Sequence, residues 1–161
     1  MSEARDETIA VLQTIPGGQR LLDWLDLNYG GFPPEFGDSE IVSLSVTQGG
    51  ESGLTLKVDR YWRDRTPPLD EEGIVRFVFS DLVDIHLEGI LVRDGVAGPN
   101  VINALYFRRV SETPVHPAPV GLGFGRPYHE IEIEPIAGAH GIIRATITRI
   151  EIEVRPIIPA A

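Results

Sequence analysis

Asp84, His86 and Glu88 stand two apart in the run Asp81-Leu-Val-Asp-Ile-His-Leu-Glu-Gly89. Side chains at that spacing leave a strand from one face. A carboxylate–imidazole–carboxylate row can hold a metal ion or pass protons, and it is also what an ordinary charged strand face looks like. Tyr128, Glu130, Glu132 and Glu134 form a second row of the same period, about 6.5–7 Å between neighbouring carboxylates at a rise of roughly 3.3 Å per residue. Like charges so placed repel unless cations lie across them. Arg144, beyond the following turn, can compensate Glu134, and Arg149 or Arg126 another of the row, in a cross-strand ladder. A basic partner laid along the row would do the same.

Other chemistry is poorly supported. The four histidines, His86, His116, His129 and His140, fall in different segments without zinc-site spacing. His129 shares the apolar parity of its strand and reads as a hydrogen-bonded core or edge histidine, whereas His140 falls in a turn. Gly121-Leu-Gly-Phe-Gly125 resembles a phosphate loop but precedes a strand, where a phosphate cradle needs a helix N-terminus. There is no cysteine and no Gly-x-Ser-x-Gly nucleophile. The residues therefore point to no catalytic group, no metal site and no cofactor.

Charge narrows the partners. The net charge is −10, which repels both the phosphate backbone of nucleic acid and anionic membranes, and steers a basic protein inward. No segment approaches the roughly 18 apolar residues of a membrane helix. The charged start, Met1 to Glu7, lacks the apolar core of a signal peptide, so the expected setting is the cytoplasm. With 161 residues and 42 % apolar content, one domain spanning 1–161 is expected, with a helical segment 1–31 and a β-rich body 32–161.

The elements follow from periodicity. Glu3–Gln13 and Gln19–Asn28 read as helices separated by Ile15-Pro-Gly-Gly18; Leu21, Leu22, Trp24, Leu25 and Leu27 give the second an apolar stripe that must pack on a sheet. From Ser39 the period becomes two. Strands are expected over 39–46 (Val42, Leu44 and Val46 inward), 54–58, 74–79, 84–92, 101–109, 128–134 and 143–154. A change of inward parity places a bulge near Thr148 or Arg149. Arg63–Glu72 and the proline- and glycine-rich Ser111–Pro127 read as loops. No helix separates the strands, so parallel crossovers are excluded. The fold class is α+β: about seven strands, mainly antiparallel, in a sandwich or open barrel with two N-terminal helices packed on it.

Phe36-Gly-Asp-Ser-Glu-Ile-Val-Ser-Leu44, Leu54-Thr-Leu-Lys-Val58 and Val75 to Gly89 together resemble the immunity protein 50 family. So do Asn100-Val-Ile-Asn-Ala-Leu105, Tyr128 to Glu134 and Gly138-Ala-His-Gly141. The resemblance spans about residues 32 to 156. This chain has Gly37-Asp-Ser-Glu40 where the family often has His-Asp-Ala-Glu. The resemblance implies a small bacterial protein that neutralises a toxin of a polymorphic toxin system by binding it, without catalysis. It brings no catalytic residues. The expected partner is a cognate protein toxin, basic if it acts on nucleic acid. The expected contact residues are Tyr128, Glu130, Glu132 and Glu134, with Trp62, Asp70, Glu71 and Glu72 from the charged loop and its margin. The competing reading is a small-molecule or carbohydrate-binding β-module using Trp62, Tyr106 and Tyr128. Neither composition nor spacing speaks to the oligomeric state.

Overall fold

The computed structural model describes residues 3–25, 36–37, 39–62, 69–93, 96–97, 99–111 and 127–157. Two helices, α1 (Glu3–Thr14) and α2 (Gly18–Leu25), precede the strands β1 (Glu40–Ser45), β2 (Ser52–Trp62), β3 (Leu69–Glu88), β4 (Val92–Arg93), β5 (Val96–Ala97), β6 (Val101–Val110), β7 (Tyr128–Ala137) and β8 (His140–Pro156). The expected α+β class holds, and the sheet closes on itself. Six antiparallel strands form a barrel in the order β1-β2-β3-β8-β7-β6, with β4 and β5 as a separate two-stranded ribbon. Closure is narrow, because β1 and β6 meet through the single pair Glu40↔Val101, so parts of the strand edges stay outside the barrel ladder.

The barrel closes because two strands are long and bent. The runs 74–79 and 84–92, expected as separate strands, belong in large part to the single 20-residue β3, which pairs with β2 through its first half and with β8 throughout. Register shifts at Val78/Phe79, Phe79/Asp81 and Leu82/Asp84 add twist where the strand turns the corner. Thr148 is skipped in the register between Arg149 and Ile147, the bulge that the parity change had indicated. Its hydroxyl donates to the Val78 carbonyl at 3.2 Å.

Inward-facing side chains fill the barrel. Leu54 and Leu56 of β2, Val75 and Phe77 of β3, Leu105 and Phe107 of β6, Ile131 of β7 and Ile143 of β8 are fully buried. Phe36 enters this interior from outside the sheet, with its ring 6.2 Å from Phe77 and 6.1 Å from Phe107.

The helices cover strand edges that the barrel leaves bare. β7 pairs with β8 only as far as His129↔Ala145. Beyond it the Ile150 amide donates to the Pro16 carbonyl at 2.8 Å. On β6, the Phe107 amide donates to the Thr8 hydroxyl at 3.0 Å, which in turn donates to the Ala4 carbonyl at 2.8 Å. Leu12, Leu21 and Leu22 of the helices are fully buried, as the apolar stripe requires. The Trp24 ring lies over Gly73, where a Cβ would come within 2.6 Å of it.

Two expectations need correction. Asp70, Glu71 and Glu72 sit in β3 opposite Tyr61, Arg60 and Asp59 rather than in a loop, because the β2–β3 ladder continues past the core; 63–68 lie outside the described residues. Val42 and Val46 are 52 % and 62 % exposed instead of facing inward: the register shift between Ile41 and Ser43 skips Val42, and Val46 lies past the end of β1 at Ser45.

One buried side chain ties the end of the barrel where β6 and β8 begin. The Asn100 carboxamide oxygen accepts from the Leu91 amide at 2.9 Å and the Ala139 amide at 3.0 Å, and its backbone carbonyl accepts from Ile41 at 2.9 Å. Asn100→Ala orphans two amides, at about 1–3 kcal/mol for an unsatisfied buried group. A loss of about 2 kcal/mol in chemical denaturation is expected, with faster amide exchange at Leu91 and Ala139; unchanged exchange there would contradict this role.

Candidate protein-docking surface

The outer face of the barrel carries a ladder of alternating charge across four strands. Arg108 on β6 pairs with Glu130 on β7. Glu130 also accepts from Arg144 Nε at 2.9 Å, and Arg144 Nη1 reaches Asp84 on β3 at 3.1 Å. The register puts Arg108, Glu130 and Arg144 directly across from one another, and Asp84 opposite Arg144. Arg144 thus serves Glu130, not Glu134 as its sequence position suggested. The Glu130 side chain is 6 % exposed, and burial alone would raise its pKa. The two guanidinium hydrogen bonds outweigh burial and hold the carboxyl below its ordinary value.

That ladder sorts the expected contact residues. Tyr128 is 7 % and Glu130 5 % exposed, so both are largely withdrawn from a partner. Glu132 and Glu134 are exposed on the same face of β7, and Glu134 accepts from the Asn103 carboxamide at 2.6 Å. Glu71 accepts from the Trp24 indole at 2.8 Å and Glu72 pairs with Arg155 at 2.9 Å, while Asp70 is exposed. The Trp62 side chain lies outside what is described, as do 112–126 with His116 and the glycine run Gly121–Gly125. Asp70–Glu72 sit on β3, and Glu71 and Glu72 are tied to α2 and to β8.

The Asp84-His86-Glu88 row divides. Asp84 is held by Arg144; His86, its side chain 74 % exposed, stands 3.9 Å from Asp84. Glu88 meets His140 of β8 at 3.7 Å, so His140 lies in a strand rather than a turn. Among the described residues no three His, Asp or Glu side chains gather as metal ligands.

An apolar rim adjoins the acidic strip. Ile136 follows Glu134 on β7 and is 55 % exposed; Ile90, Leu91 and Val92 are 54 %, 43 % and 63 % exposed. These segments are neighbours: Leu91 and Ala139 share the Asn100 oxygen, and a Cβ on Gly89 would come within 2.9 Å of the Gly138 carbonyl. Exposed aliphatics gathered at one place and bordered by charge are the anatomy of a protein interface. Sequence reasoning missed these four residues. The available signal was Ile90-Leu-Val92, three aliphatics in a row directly after a glycine; the alternation expected over 84–92 placed Leu91 on one face with Ile85 and Leu87, whereas it lies past the end of β3 and is 43 % exposed.

A cleft of about 440 Å³ opens where β7 and β8 part, lined among others by Asp81, Arg109, Tyr128, His129 and Thr146. His129 Nδ1 accepts the Ile147 amide at 3.0 Å, fixing the proton of the neutral ring on Nε2. Burial, then the Arg109 charge, lowers its pKa below 6.5.

His129 and Glu130, the two withdrawn groups with lowered pKa values, contribute to the pH dependence. A histidine depressed by folding binds its proton more readily when unfolded, so stability falls as pH drops below about 6.5. Glu130, also depressed, contributes fully above about 4.5 and less as pH falls further. Denaturation midpoints of the parent should therefore decline in two acid stages. His129→Asn, which keeps an acceptor, should flatten the upper stage and Glu130→Gln the lower; parallel curves for all three would contradict both assignments.

No family model, no curated protein and no solved structure matches the chain.

Proposed function

We propose that the chain is an immunity-like protein that binds a cognate protein toxin in the cytoplasm and neutralises it by covering its working surface. The reading rests on the rim of Ile90, Leu91, Val92 and Ile136 beside exposed Glu132 and Glu134. Apolar side chains supply the desolvated centre of the contact, and carboxylates supply its charged margin. The net charge of −10 speeds encounter with a basic surface. A barrel packed solid by Phe36, Phe77 and Phe107 gives such a surface a rigid backing, so that little ordering entropy is lost on docking.

The test is co-expression and titration with the polypeptide encoded by the adjoining reading frame. The parent chain should relieve its toxicity and bind it. Glu132→Lys/Glu134→Lys should slow association about tenfold at low salt and remove most of its salt dependence. Ile136→Asp should speed dissociation by a similar factor, with the melting temperature unchanged in both variants. Unaltered kinetics in both would remove this surface from the account.

A second reading has one observation in its favour. The cleft at His129 places Tyr128 and Arg109 beside Pro127, where a small polar ligand or a sugar would find an aromatic ring and hydrogen-bond donors. A ligand that raises the melting temperature of the parent but not of Arg109→Ala would support that reading.

A further inference from the structure

Among the described residues, the first strand of the barrel has an edge without a strand partner. β1 meets β6 through a single register pair, Glu40↔Val101, with hydrogen bonds from Ile41 to Asn100 at 2.9 Å and from Ile102 to Ser39 at 2.8 Å. The two strands run in opposite directions from there, so β1 continues to Ser45 with nothing of β6 beside it. On its other side it keeps the ladder to β2 as far as Ser45↔Gly53. Among the described residues no backbone bond other than that ladder involves Val42 to Val46.

Proteins normally guard such an edge with lysine, proline or inward charge, because unpaired N–H and C=O groups recruit another strand. Here Ile41 to Gly50 contains neither a charged residue nor a proline, in a chain that is 24 % charged and has 13 prolines. Val42 and Val46 stand 52 % and 62 % exposed along it; the shift at Val42 is the one guard present. The edge begins at Asn100, whose side chain also holds Leu91 of the apolar rim and the neighbouring buried Ala139. Edge and rim are therefore continuous.

We infer that the β1 edge accepts an extended, alternating basic–apolar segment of the docked partner, which joins the barrel as a further strand. The inference rests on the docking reading above and specifies how the partner is gripped: backbone bonds to β1 give affinity, and alternate side chains reach Val42 and Val46. The charge of −10 selects a basic segment over a second copy of this chain, which would bring the same charge to the contact.

The probe is a synthetic peptide of four Lys-Val repeats, read by amide hydrogen exchange on the full chain. Exchange at Val42 to Val46 should slow about tenfold with this peptide. It should not slow with four Glu-Val repeats, nor with the basic peptide carrying a central proline. Val42→Lys/Val46→Lys, altering two exposed side chains, should abolish the protection without lowering the melting temperature. Absent protection, or equal protection from the proline peptide, overturns the inference. So does slowing in the chain alone as its concentration rises, which would make a second copy the occupant. A toxin that binds Val42→Lys/Val46→Lys as tightly as the parent, yet loses affinity for Ile136→Asp, would sink the edge and leave the docking surface standing.

Discussion

Phe77→Ala is expected to lower stability by about 4 kcal/mol, within the range for large-to-small changes at buried aromatics. Phe77 is fully buried on the inner face of β3, between Leu54 of β2 and Ile150 of β8 in the register. Its ring centre lies 5.1 Å from that of Phe107 and 6.2 Å from that of Phe36. The three come from unconnected parts of the chain, so no single segment can move in to fill the hole. Phe36 holds its place with φ of 59°, a left-handed backbone that an L-residue adopts only when packing compensates. Removing Phe77 takes away part of that compensation. Urea denaturation should show the midpoint falling with little change in slope; a loss below about 1.5 kcal/mol would mean that the interior collapses around the gap.

Gly17→Ala should cost about 3 kcal/mol, a large effect for one methyl group. Gly17 has φ of +88°, and a Cβ there would sit 2.0 Å from the Ile150 carbonyl oxygen. That neighbour is strand backbone and cannot swing aside. The left-handed geometry costs an L-residue roughly 1–2 kcal/mol. Backing away breaks the Ile150–Pro16 hydrogen bond of 2.8 Å, leaving a β8 amide unpaired at about 1–3 kcal/mol. Gly49→Ala is the control, since Gly49 has φ of +72° with nothing within 4 Å of its Cβ position and should lose only the conformational share. Equal losses at the two glycines would show that the helix turn does not seal the β8 edge.

What was legible in the sequence depended on how local the cause was. The two helices and the Thr148 bulge followed from periodicity, because each is set by neighbours a few residues away. The tethered setting of His129 followed from parity for the same reason. The fusion of two expected strands into β3 was hidden, since the shifts around Phe79 and Leu82 scramble the alternation that a strand is recognised by. Closure was hidden too: one register pair and two hydrogen bonds at Glu40–Ile41 decide between an open and a closed sheet. The acidic row on β7 could be read as a row, but only the cross-strand register shows that Glu130 is spent on Arg108 and Arg144. The apolar rim was legible only as the three successive aliphatics Ile90 to Val92; that the segment of Ile136 lies beside them was not, because Asn100 brings Leu91 and Ala139 together from segments far apart in the chain.

The claim that joins these observations is that the rim beside β7 is a surface made for another protein. The most direct measurement is the hydrogen-exchange footprint of the chain when bound to the polypeptide of the adjoining reading frame. Slowed exchange over Ile90 to Val92 and Glu132 to Ala139, with the Arg109–His129 cleft unchanged, is the predicted result. A footprint confined to that cleft, or to the outer face of β2 and β3 with the rim exchanging freely, would contradict it.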